Sequence, residues 1–388
     1  MRNHPVNEDD EGTNGLHLSD LSISNFRGID HLSIGRLGRV TLLAGRNGVG
    51  KTTVLEAVRV HAARGRPTVL HELLDKREEF AAAFDEDHDP VVSPDYATLF
   101  FGRTATRDRP IAIGPNSGAD DLRIEVSTPG DWSPEQNELF AALSTEADVQ
   151  AVRVVYRDKA RLLPWLPVAR DPRANWARGR YPRSLQRGLF DEREWPVIEC
   201  ESLGPGLPRN STLARFWDSV ALTAEEDLSL QALRLTSDGV ERVAVVGDEE
   251  ARYRGIGRRV VVKLRDHPRP VPLKSLGDGV TRLFAAGLAL ANSRDGFLVI
   301  DEAENGIHYS VQRDFWRMVL RAAHQHNVQV LATTHSRDCV KGFARAAAEI
   351  DEAEGVLVRL ERDGDGVRAV GYTEEELETV AAQDIEVR

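Results

Sequence analysis

Residues 40–58 read VTLLAGRNGVGKTTVLEAV, and this stretch decides the fold. Val40 to Ala44 is a short apolar run of the kind that forms a buried strand. Gly45 through Thr52 then satisfies G-x-x-x-x-G-K-[ST] in full, and from Lys51 the apolar spacing becomes helical, ending near Arg64–Gly65. Chemistry requires this order. Glycines let backbone N–H groups turn inward on phosphates, and the start of a helix adds its positive pole. Asn47, Gly48, Gly50 and Thr53 belong to that cradle. Lys51 is placed to reach β- and γ-phosphates, and the Thr52 hydroxyl to ligate Mg²⁺.

A phosphate loop of this type needs a second strand ending in a carboxylate. FLVIDEAENGIHYS, residues 297–310, supplies it: four apolar residues stop at Asp301, with Glu302 directly after. Asp301 is the expected partner of Thr52 at the metal, and Glu302 the expected acceptor of a proton from attacking water. VQVLATTHS, residues 328–336, makes a third strand that ends in Thr333, Thr334 and His335, and His335 is a candidate contact for the γ-phosphate. Asp301, Glu302, Glu304 and His308 also admit a different reading, a metal centre of their own. Its weakness is that the strand end and the loop after it already account for every member.

The rest of the chain sets the frame. With 388 residues, 41% hydrophobic and 29% charged, it can bury a large core. A net charge of −12 argues against a uniformly basic nucleic-acid coat and leaves room for a local basic groove. Cys200 and Cys339 stand far apart without a partner pattern, which reads as a reducing, cytoplasmic compartment. No apolar stretch approaches membrane-span length, so no membrane partner is expected. Residues 1–15 are polar and acidic and read as a disordered lead-in. Residues 16–65 form the first lobe of the nucleotide domain, with strands around Leu21–Ile23 and Leu32–Ile34 turning at Arg27–Gly28. Residues 66–210 are expected to be an inserted lobe, with HELLDKREEFAAAFDE helical in composition and DLRIEVST a strand. Residues 211–388 complete the domain. They run from the helical 213–236 through the strand-rich 240–272, and then alternate helix and strand in a way that implies a mostly parallel sheet with helices on its faces.

Together the motifs resemble a known group. The phosphate loop at 45–52, SLGDG at 275–279, the strand end at 297–302 and TTHS at 333–336 occur in the order of ABC-type ATPases. Their wording is similar to the RecF/SMC-like heads, in particular the stand-alone OLD-like AAA-family ATPases without a Toprim domain. Asn25-Phe26-Arg27 stands where that group has Asn-Phe-Arg/Lys. The likeness covers residues 16–65 and 270–345. It implies an α/β P-loop fold, an ABC-ATPase-like head with a mixed, mainly parallel sheet flanked by helices and an inserted lobe, and Mg²⁺-dependent ATP hydrolysis. In the group, the signature loop comes from the opposite subunit and closes on the γ-phosphate. Ser275 and Gly277 match it and Asp278 departs from it, so a homodimer through the ATP site, or a higher oligomer, is implied. His335 matches the switch histidine, and Ala303–His308 takes the place of the loop that lines the dimer seam. Arg27 and Arg46 are candidates for base or phosphate contacts. A Q-loop glutamine is not recognisable, since Gln136 and Gln150 sit in no motif.

Two functional readings stay open. One is an ATP-driven switch that dimerises and acts with a separate effector in a DNA-transaction or phage-defence system. The other is an assembly or scaffold protein with slow or no turnover. The segment 151–187 has nine Arg and one Lys against two Asp, with Trp165 and Trp176 interleaved. It reads either as a DNA contact centred on Arg173, Arg178, Arg180 and Arg183 or as a lobe whose arginines pair with acids elsewhere.

Overall fold

The computed structural model describes residues 15–84, 90–134, 136–137, 151–165, 168–169, 195–247, 257–350, 354–364, 366–373, 376–377 and 379. Most of the basic segment, including Trp176 and the four arginines from Arg173 to Arg183, lies outside them.

From the N-terminus, β1 (Leu21–Phe26) and β2 (Ile29–Ile34) form a hairpin that turns at Arg27–Gly28. Strand β3 (Val40–Ala44) leads through the glycine loop into α1 (Lys51–Ala62), and α2 (Pro67–Lys76) follows. Next come β4 (Phe80–Phe84), β5 (Pro90–Pro94), β6 (Ile111–Gly114), β7 (Leu122–Ser127), β8 (Ala151–Tyr156), β9 (Lys159–Pro164), β10 (Val168–Ala169) and β11 (Cys200–Leu203). Helices α3 (Asn210–Val220) and α4 (Glu226–Arg234) precede β12 (Val240–Gly247), β13 (Arg258–Leu264) and β14 (Val271–Pro272). The chain then alternates: α5 (Asp278–Asn292), β15 (Phe297–Ile300), α6 (Gln312–Gln325), β16 (Gln329–Thr334), α7 (Arg337–Ala347), and the hairpin of β17 (Gly355–Asp363) with β18 (Gly366–Tyr372).

The central sheet has the order β11-β15-β16-β3-β17-β18, parallel throughout except for β18. Strands β3, β15 and β16 are buried at every residue, as strands covered on both faces must be. Alternation along them divides the core in two. Leu42, Leu298, Ile300, Val330 and Ala332 face one cluster, packed by α3 to α7 and the β12-β13-β14 sheet. Leu43, Phe297, Val299 and Leu331 face the other, with α1, α2 and a second, antiparallel sheet of order β2-β1-β6-β7-β8-β9. Helix α1 lies between the two sheets and is buried at every residue but Thr52.

Strands β6 to β9, read from the sequence as part of an inserted lobe, thus extend the β1-β2 sheet. Cys200–Leu203, on the same side of the expected boundary, is the edge strand of the central sheet. HELLDKREEFAAAFDE also departs from its helical composition. The helix stops at Lys76, the chain turns through Glu78 at positive φ, and Phe80–Phe84 pairs with β5. Alanines favour helix, but strand pairing overrides so weak a preference. The architecture is an α/β P-loop head of the ABC-ATPase-like type, with a mixed, mainly parallel sheet flanked by helices and an inserted lobe.

Candidate nucleotide site

Parallel strands direct their carboxyl ends to one edge, where ligands of such sheets bind. Three of the motifs arrive there on adjacent strands, because β16 lies between β3 and β15, with Thr334 beside Ala44 and Ala332 beside Ile300. The cleft they border has a volume of about 390 Å³ and is lined by Asn47, Gly48, Val49, Gly50, Lys51, Thr52, Thr53, Asp301, Glu302, Arg27, Gly28, Arg77 and Arg362.

The glycine loop is tightly held. Gly45 has φ +145, and a Cβ there would stand 2.6 Å from the Leu360 carbonyl of β17. Gly50 caps α1 in the left-handed region at φ +109, and no acidic residue occupies the first turn to cancel the helix's positive pole. Lys51 Nζ donates to the carbonyls of Gly45 at 2.7 Å and Arg46 at 3.0 Å. Burial lowers its pKa, while Glu304, Asp301 and Glu302 pull in the opposite direction.

Thr52 Oγ1 donates to Asp301, 3.2 Å from Oδ1 and 3.0 Å from Oδ2. The buried Thr333 hydroxyl donates to Asp301 Oδ1 at 2.6 Å and accepts the Glu302 N–H at 2.8 Å. Asp301 is therefore aimed from two sides at Thr52, and the pair offers hard oxygen donors beside a phosphate cradle, the donor set suited to Mg²⁺. Glu302 adopts φ +50, rare for a residue with a Cβ. Asn305 Nδ2 donates to its Oε2 at 2.6 Å.

The acidic stretch does not act as one cluster. Glu304 turns inward, and its Oε1 accepts from His335 N at 2.9 Å and lies 3.1 Å from His335 Nδ1. Glu304, expected at a subunit seam, has a side chain 10% exposed beneath His335. His308 Nδ1 is 2.8 Å from Ser310 Oγ, and the ring packs at a tilt against Tyr309. Among the described residues no group of three or more His, Cys, Asp or Glu is arranged to hold a metal ion.

Other sequence candidates fall elsewhere. Ser275 and Gly277 are exposed and do not line the cleft. Gly277, at φ +106, caps α5, and Gly279 lies so close to Gly306 that a Cβ would stand 2.3 Å from its carbonyl. His335 is half-exposed and outside the lining. Arg46 is exposed and also outside it. Arg27 borders the cleft, but its guanidinium is committed to Glu79 at 2.7 Å and Glu56 at 2.9 Å. Sequence reading missed Arg77, 3.0 Å from Glu56, and Arg362, which donates to the Gly48 carbonyl at 3.2 Å. It also missed Arg282, whose guanidinium clasps backbone carbonyls behind the cleft. None of these three lies in a recognisable motif; only strand and helix packing brings them here.

The chain is 21% identical over 373 residues to an "ATP/GTP phosphatase" of Helicobacter pylori, covering 93% of this chain and 97% of that one. Over 43 residues it is 51% identical to the "DNA replication and repair protein RecF" of Geobacter sulfurreducens, 11% of this chain and 12% of that one. A solved SMC head bound to the C-winged helix domain of ScpA aligns with a TM-score of 0.48 at 12% identity, over 94% of this chain and 100% of that one. A family match running from β3 before the glycine loop to α7 after His335, residues 40–338, takes in all three strand ends of the cleft, and the chain belongs to that family, "AAA domain, putative AbiEii toxin, Type IV TA system".

Proposed function

We propose that the protein is a Mg²⁺-dependent ATPase that dimerises on ATP and works as a switch with a separate effector in a DNA-transaction or phage-defence system. The observation that carries this reading is the convergence of Lys51, Thr52, Asp301 and Glu302 on one cleft while Ser275 and Gly277 stay exposed outside it.

The cradle formed by Asn47, Gly48, Gly50 and Thr53 and the start of α1 would bind the phosphates through backbone N–H groups. Lys51 exchanges its two loop carbonyls for phosphate oxygens. Thr52 and Asp301 would hold Mg²⁺, which when bound neutralises charge between the β- and γ-phosphates. Glu302 accepts the proton of the attacking water, and His335 offers Nε2 to the γ-phosphate while Glu304 holds its Nδ1 side. A single chain leaves the outer side of the nucleotide open. A second copy presenting Ser275 and Gly277 would exclude water and add donors there. Hydrolysis would then release the pair.

The wider role rests on relatives. The Helicobacter phosphatase supports turnover of a nucleotide, the RecF segment supports a DNA setting, and the toxin–antitoxin description supports an effector and an OLD-like defence role. A cytoplasmic location belongs to the same proposal and is supported by the free thiols of Cys200 and Cys339. Among the described residues no helix is long and apolar enough to cross a membrane.

The test is phosphate release by the purified protein with and without Mg²⁺, together with light scattering of Glu302→Gln in ATP. Mg²⁺-dependent release by the wild type and a trapped dimer of the variant are expected. No hydrolysis, with no change in oligomeric state, overturns the switch and leaves a scaffold.

A further inference from the structure

Gly204-Pro205-Gly206, directly after β11, line no part of the cleft, yet all three of their carbonyls are engaged. Arg282 Nη1 donates to Gly204 and, at 2.9 Å, to Gly206. Asn305 Nδ2 donates to Pro205 at 3.2 Å. The same two side chains reach the candidate proton acceptor. Arg282 Nη2 donates to the carbonyls of Asp301 at 2.7 Å and Glu302 at 3.1 Å, and Asn305 Nδ2 donates to the Glu302 carboxylate at 2.6 Å. Both neighbours of Asn305 Nδ2 are acceptors only, so the amide must face them with its nitrogen, which uses both hydrogens. Arg282 is 3% exposed, and a planar guanidinium donating to four carbonyls from there cannot drift.

We infer that Arg282, the 204–206 loop and Asn305 form a positioning relay for Glu302. Asn305 fixes Oε2. Among the described residues Oε1 has no hydrogen-bond partner, so it is the oxygen left to meet a water. Arg282 rides on α5, the helix that begins at the Gly277–Asp278 loop, and Gly279 of that helix abuts Gly306. A displacement of the loop therefore reaches Glu302 within the same chain. Docking of the loop on a second copy's nucleotide would thereby set the proton acceptor of its own chain. This inference rests on Glu302 as the proton acceptor, as proposed above.

The relay is tested by steady-state ATP hydrolysis and binding of a fluorescent ATP analogue in Asn305→Ala, Arg282→Lys, Glu302→Gln and Asn305→Ala/Glu302→Gln. Loss of a group that orients a reacting one costs about 10–100-fold. Asn305→Ala and Arg282→Lys should lower kcat by that order with KM and analogue affinity within about twofold, a split that general loss of structure would not give. Asn305→Ala should add nothing to Glu302→Gln, because it acts through that carboxylate. Unchanged kcat in Asn305→Ala while Glu302→Gln is inactive overturns the relay alone. Full activity of Glu302→Gln overturns the underlying assignment of the proton acceptor.

Discussion

Arg27 was expected on resemblance to touch the nucleotide, and the structure ties it instead to two carboxylates, so Arg27→Met separates the two roles. The Arg27, Glu56 and Glu79 side chains are 4%, 10% and 6% exposed. Removing one partner of a buried ion pair costs about 3–5 kcal/mol, because the opposite charge stays buried without compensation. Arg77 remains 3.0 Å from Glu56 and Arg103 3.4 Å from Glu79, which places the cost near the lower end, about 3 kcal/mol. For a chain of this size that corresponds to a fall in Tm of about 4 °C. Unfolding followed by tryptophan fluorescence measures it, and the affinity of an ATP analogue should stay within about twofold. Among the described residues Arg27 Nε and Nη2 make no hydrogen bond, and Nε lies 2.9 Å from Glu56 Oε2, so a ligand contact would have to run through Nη2. An unchanged Tm with a tenfold or greater loss of affinity would refute the clamp and restore Arg27 to the nucleotide.

Gly279→Ala forces a Cβ against backbone that cannot step aside, and should cost about 1–3 kcal/mol and slow hydrolysis by parting α5 from the Gly306 loop; a fully active, equally stable variant refutes this contact. Burial lowers the pKa of His61 and of His71 to about 4, with Arg64 also acting on His61. Their contribution is fully present above the unfolded value near 6.5 and is lost as pH falls from there toward 4, about 3 kcal/mol each. Replacing both by Gln should flatten the loss of Tm between pH 7 and pH 4.5, and an unchanged slope counts against it. Burial pushes the thiol of Cys339 up to about 12, so it should not react with a disulfide reagent at pH 8 until the protein is denatured. Rapid native labelling would contradict that environment.

What was legible in the sequence depended on whether a local pattern carries its own chemistry. Val40–Thr52 could be read outright, since strand, glycines and lysine have one joint use. Residues 297–302 became legible once that loop demanded a partner. The place of β6 to β9 in the β1-β2 sheet was not, because pairing with β1 is a long-range contact that leaves no local mark. The same holds for Arg282 and Asn305, whose partners are mostly backbone carbonyls, and any residue type can supply those. Arg27 shows the same limit: its motif position is visible in sequence, but the two glutamates that hold its guanidinium are 29 and 52 residues downstream.

The backbone at Glu302 explains why four chemical groups within eight positions divide among different partners. At φ +50 the chain leaves the extended path of β15, which sends the Glu302 carboxylate toward Asn305 and the Glu304 carboxylate beneath His335. A left-handed residue with a Cβ costs about 1–2 kcal/mol. Here the bend is held by the Thr333 hydroxyl on the Glu302 N–H and by Arg282 on the carbonyls of residues 301 and 302. Comparing Glu302→Gly with Glu302→Ala isolates that cost, since both lose the carboxylate and its bond to Asn305. In ordinary backbone, glycine is the less stable of the two by about 0.4–1 kcal/mol, through the greater freedom of its unfolded chain. At a left-handed position the order reverses, and Glu302→Gly should be the more stable by about 1 kcal/mol. Both variants should be inactive, so Tm is the measurement. If alanine proves the more stable, the backbone at this position is not strained, and Thr333 and Arg282 hold a bend that needs no holding.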